Sequence, residues 1–290
     1  MSASSDARER LAGAIWGMFL GDAHGLAEPP NHRADAVVAR VPAGRDAPGA
    51  LTHAGAGALI LLESLAEADL DAAAYGRRRV AVDERPAGGP DDDMDVAAAR
   101  LAPLVARLAG DPRLMLEVDR FTRTVREDDR AVAVACTHAR LLELLFAGAQ
   151  LDDALDAVMR GLDPRTELGA ELRGLIDTAR AAADLPADLP VEGAVEQREP
   201  GSRLGRVFAA ALQATLVHAD DPLAAVVAAA RTCGNDAGRA MLVGSWLGAR
   251  HGLAAWPEAW RAELDDRARI AAGIDEVLRR RHRRPQGPWH

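Results

Sequence analysis

Gly13-Ala14-Ile15-Trp16-Gly17-Met18-Phe19-Leu20-Gly21-Asp22-Ala23-His24-Gly25 sets a glycine at every fourth position of an otherwise apolar helical stretch. Gly244, Gly248 and Gly252 repeat that spacing near the other end of the chain. Residues i and i+4 share a helix face, so each row is a groove without side chains into which a second backbone can settle. Glycine costs a helix about 1 kcal/mol per position relative to alanine, and close helix packing is the compensation the spacing predicts.

Outward from these rows the chain reads as helix throughout. Ser4 or Ser5 can cap the first helix, which carries Leu11, Ile15, Met18 and Phe19 and is expected to stop at Gly21-Asp22-Ala23-His24-Gly25. A Pro- and Gly-rich loop runs from Pro29 to Gly49, and a second helix starts near Ala56, with Thr52 and His53 on its approach. Helical spacing resumes over 97–109, 130–147, 151–159, 167–183, 204–218, 223–231, 238–250 and 265–280. No long run of alternating β-branched residues interrupts it. The expected architecture from spacing alone is all-α, as one large domain or two small ones, with a basic disordered tail over 281–290.

Composition narrows the function classes. Against 35 Lys and Arg stand 44 Asp and Glu, a net charge of -9, which argues against a general nucleic-acid binder and leaves small ligands as partners. The chain has no lysine, which excludes Schiff-base chemistry through that residue. Cys136 and Cys233 are too few for a disulfide framework and fit a reducing compartment. With neither a cleavable leader nor an apolar run of membrane-spanning length, the expected location is the cytoplasm, away from membranes.

Four stretches in order resemble one family. Gly13 to Gly25 is similar to the opening Gly-x-x-x-Gly-x-x-x-Gly-Asp-Ala-x-Gly of the ADP-ribosylglycohydrolases (the dinitrogenase reductase-activating glycohydrolase type). Asp95-Val96-Ala97-Ala98-Ala99-Arg100-Leu101-Ala102-Pro103-Leu104 resembles their Asn-Gly-Ala-x-Met-Arg-x-x-Pro-Leu loop, and Gly234 to Gly252 their Gly-Gly-Asp-Thr-Asp-Thr segment. Trp256-Pro257-Glu258-Ala259-Trp260 looks like the closing Pro-Glu-x-Trp. The resemblance implies a compact single-domain orthogonal helical bundle over 1–280 and release of ADP-ribose from modified side chains using two magnesium ions.

The metal positions depart from that pattern. Where the family has Thr-Asp-Asp before the second helix, this chain has Thr52, His53 and Ala54; where it has Asp-x-Asp-Thr, this chain has Asp236, Gly238 and Arg239. Thr52 and Asp236 keep the family's residue type, so three of four carboxylates are missing. Magnesium is held mainly by carboxylate charge, and a fixed cation at Arg239 repels it. Arg239, three residues after Asp236, is placed to pair with it and fill the vacated cavity. No cofactor is expected; magnesium would bind only if that reading of the site is wrong.

The family's catalytic glutamate falls at Pro29, with Glu28 one position early. Candidate catalytic residues are therefore Glu28, His24, His53 and Asp236, and candidate ligand-binding residues Thr52, Asp95, Arg100, Asn235, Asp236 and Arg239. Helix N-termini at both loops attract anions, so the expected partner is an anionic small molecule such as an ADP-ribosyl group or a nucleotide. Repurposing as a metal-independent enzyme, as in specialised biosynthesis, is the alternative. A second alternative is magnesium-diphosphate chemistry, as in terpene synthases, at Asp91-Asp92-Asp93-Met94-Asp95, beside the plainer reading as a solvated loop. His138 reads as a partly buried or surface helix residue, Trp256 and Trp260 as core anchors, and Asp22 as a brace for its turn.

Overall fold

The computed structural model describes residues 3–25, 49–67, 70–83, 97–184, 203–230 and 236–281. Thirteen α-helices fill these segments, and the described residues contain no strand. Two of the helices form the spine, α1 (Ala3–Gly25) and α11 (Asp236–His251). They run antiparallel with their glycine rows face to face. A Cβ on Gly13, Gly17 or Gly21 would lie 2.5 Å, 2.1 Å or 2.1 Å from the carbonyl oxygens of Gly248, Gly244 and Ala240 respectively. These distances are overlaps, so the two backbones touch only because the side chains are missing.

Around the spine lie α2 (His53–Glu67), α4 (Ala102–Leu108), α6 (Asp129–Phe146), α9 (Arg203–Val217) and α10 (Pro222–Ala230). The remaining described helices are α3 (Ala72–Asp83), α5 (Leu114–Arg123), α7 (Leu151–Gly161), α8 (Glu167–Ala183), α12 (Glu258–Glu263) and α13 (Arg267–Arg281). One buried core extends from Leu11 to Leu278 and includes Ile15, Phe19, Leu62, Leu142, Phe208 and Trp246. Local signals set the ends. Asp128 caps α6 by accepting from the Ala131 amide at 2.7 Å, and Thr166 caps α8 by accepting from Gly169 N at 3.1 Å. Gly252, in the left-handed region at φ 79°, closes α11.

The first helix ends at Gly25, inside the stretch where it was expected to stop, while two other expectations are corrected. The second helix begins at His53, earlier than the apolar spacing suggests, because Thr52 supplies a cap. His138, expected to be partly buried or at the surface, is fully buried: its Nδ1 accepts from the Trp246 indole N–H at 3.0 Å. Three helices, α3, α5 and α12, lie where no helix was expected; α3 and α5 meet through Tyr75 and Phe121, whose ring centroids are 5.6 Å apart. The acidic run at Asp91–Asp95 and the basic tail after Arg281 lie outside the described residues. No helix among the described residues is long and apolar enough to cross a membrane.

Candidate functional site

The last turn of α1 meets the N-terminus of α2 through one buried carboxylate. Asp22 is completely inaccessible; its Oδ2 accepts from the Thr52 amide at 2.8 Å and its Oδ1 accepts from the Thr52 hydroxyl. Gly55 makes the approach possible, since a Cβ there would stand 2.0 Å from Asp22 Oδ2. Burial pushes the Asp22 carboxyl up to about 6, against the opposing pull of the Thr52 hydrogen bonds, the Gly55 amide and the Arg100 charge. Arg100, also buried, lies under the same helix, where a Cβ on Gly57 would come 3.0 Å from its Cζ.

Thr52 is used on every side. Its oxygen donates one proton to Asp22 and accepts from Ala54 N at 3.0 Å and Gly55 N at 3.2 Å, while its carbonyl accepts from Ala56 N at 2.8 Å. A hydroxyl has one hydrogen and two lone pairs, so this capping leaves none for a cation. The same bonds occupy the first-turn amides of α2, donors on which anion capture at a helix terminus depends. Ala54, at the third position of the family triplet, is buried and its side chain carries no ligand atom.

On the late loop, Asp236 is the first residue of α11, and its side chain lies outside the described residues. Arg239 is buried, and its Nε donates at 2.7 Å to the carbonyl of Ala229, in the last turn of α10. A guanidinium there answers the negative end of that helix. One face of Arg239 is thus turned to a helix terminus, and its expected pairing with Asp236 falls on a side chain outside the described residues. The last turn of α1 and the start of α11 come together where Gly21 abuts Ala240, next in sequence to Asp22 and Arg239 respectively.

His24 lies two residues beyond Asp22, half-buried, with its ring stacked on Trp260 at 4.0 Å between centroids. Burial lowers its pKa to about 4, so the imidazole is neutral at pH 7. His53 opens α2 beside Thr52. Of the sequence candidates, Thr52, His53 and Arg100 gather around the α1–α2 junction, His24 stands at the α1 terminus and Arg239 at the start of α11. Glu28, Asp95 and Asn235 lie outside the described residues. Sequence spacing left Gly55 and Gly57 unremarked, although two glycines directly after a cap residue signal close approach by buried groups.

An all-helical domain in which the end of α1 meets the start of α2 and the start of α11 sets the fold class, and the family follows from comparison. The model of the ADP-ribosylglycohydrolase family matches residues 3–287, and the chain belongs to that family. A solved structure described as an ADP-ribosylglycohydrolase-related protein complex is similar at a TM-score of 0.72 and 23% identity, over 96% of this chain and 99% of that one. Comparison with curated proteins gives no sequence match.

Proposed function

We propose that this chain is an ADP-ribosylglycohydrolase-fold protein that lacks the dinuclear magnesium site and binds an anionic small molecule, an ADP-ribosyl group or a nucleotide, in the cleft that remains. The observation that carries the reading is the state of Thr52. Its lone pairs face the Ala54 and Gly55 amides and its proton faces Asp22, so the residue that keeps the family's ligand type acts as a helix cap. Ala54 and Gly238 contribute no ligand atom, and Arg239 contributes a cation. Among the described residues no three His, Cys, Asp or Glu side chains are grouped to hold a metal ion. These residues do not fit a pair of magnesium ions, which need several carboxylate oxygens in octahedral arrays.

Anion recognition in this reading falls to the late loop and to the arginines, Arg100 and Arg239, because the α2 amides are already engaged. Incubating the purified protein with ADP-ribosylated arginine or serine and saturating magnesium is the test. No release of ADP-ribose is expected. Release at a rate abolished by Asp236→Ala would show that a working metal centre assembles and would end the proposal.

A further inference from the structure

The geometry points to the short helix α12 (Glu258–Glu263) as a flap that closes over His24 and opens without disturbing the core. Whichever molecule the cleft takes, this inference is unaffected, because it rests on how one segment is attached.

Fixed anchors bracket the segment. On one side Trp256 is buried and donates its indole N–H to the carbonyl of Gly13 at 2.8 Å, tying the chain to the spine. On the other, Leu264 is buried and the Asp265 amide donates to Gly49 O at 3.1 Å. Between the anchors no residue of α12 is buried. Stability against local opening comes from buried apolar contacts, and this segment has few.

What holds α12 down is a pair of ring contacts to α1 and one surface ion pair to α13. Trp260 lies tilted against His24 at the edge of the core, and the Arg261 guanidinium stands over the Trp16 ring, 5.8 Å from its centroid. Trp16 and His24 are two turns apart on α1, so α12 bridges that interval. Glu258 pairs with Arg261 at 2.8 Å within α12 and reaches outside it to Arg267. Exposed pairs of this kind hold weakly. Beneath the Arg261 side, a groove of about 220 Å³ lined by Trp16, Leu253 and Arg261 leaves the helix without packing along that edge. Lifting α12 breaks these contacts and uncovers the imidazole, a motion of the kind that gates many binding sites.

Hydrogen exchange and carbethoxylation of the full chain test the flap together. Exchange of the α12 amides at least a hundredfold faster than those of α11 is expected, with the Trp256 and Leu264 anchors slow. Diethylpyrocarbonate, mapped by mass spectrometry, should modify His24 at least tenfold faster in Trp260→Ala than in the parent, with His138 untouched in both. Should that variant not fold, Glu258→Gln, a surface change that releases Arg261 and Arg267, carries the same comparison. Protection of α12 equal to that of α11, or a His24 rate unchanged by either variant, overturns the inference.

Discussion

Asp22 Oδ2 accepts the backbone N–H of Thr52 at 2.8 Å while its other oxygen accepts the Thr52 hydroxyl, so one carboxylate from α1 fixes both the main chain and the side chain that start α2. That relationship turns a family ligand position into a structural joint, and it has a pH signature. Burial raises the Asp22 pKa from 3.8 to about 6, which means the folded state binds its proton more tightly than the unfolded state. The resulting stabilisation is full below pH 4 and is lost as pH rises through 6, by about 3 kcal/mol at most. Urea unfolding at pH 4.5 and pH 7 should show this loss in the parent, and Asp22→Asn should remove it.

His138 shifts stability in the opposite direction. Burial lowers its pKa to about 3, so the neutral ring contributes stability above pH 6.5 that falls away as pH drops toward 3. Replacement by alanine leaves the Trp246 indole N–H without its acceptor, at a cost of about 3 kcal/mol or more once the cavity is included. Acid titration followed by tryptophan fluorescence should show an earlier transition in the parent than in a His138→Gln variant, whose amide oxygen can accept the same proton without becoming charged.

The paired glycine rows predict a sharp contrast between two equally small substitutions. Gly17→Ala drives a methyl group to within 2.1 Å of the Gly244 carbonyl and should destabilise the fold by about 1–3 kcal/mol. Gly174→Ala, in exposed α8 with nothing near its Cβ, should stabilise by about 0.5–1 kcal/mol. Thermal melts of the two variants check both signs.

Arg239→Met tests what that side chain does. Its Nε answers the Ala229 carbonyl, so the variant should lose about 1.5–3 kcal/mol, the range for a hydrogen bond to a charged group. Magnesium should not restore the lost stability. Recovery of the melting temperature on adding magnesium would show that the guanidinium had only been displacing an ion.

Much of the fold was legible because its decisive contact is written as a spacing: Gly13-Gly17-Gly21 and Gly244-Gly248-Gly252 each announce a close backbone approach, while the structure adds that the rows meet each other, Gly13 at Gly248 and Gly17 at Gly244. The burial of His138 was also within reach, since Val134, Leu141, Leu142 and Leu145 put it on the apolar stripe of α6. Helix α3 was not, because Arg77-Arg78-Arg79 hides the few apolar residues that face inward, with Tyr75 among them. For the candidate site, sequence identified which positions depart from the family pattern. It could not show that Thr52 bonds to Asp22, because that bond joins residues 30 apart and Gly55 serves it only by leaving room.

Calorimetric titration of ADP-ribose into the parent, once with excess EDTA and once with saturating magnesium, bears most directly on the central claim. If the cleft recognises its anion without a metal pair, saturable binding appears in both buffers with the same affinity. Binding that appears only with magnesium, accompanied by uptake of two metal equivalents, would contradict it.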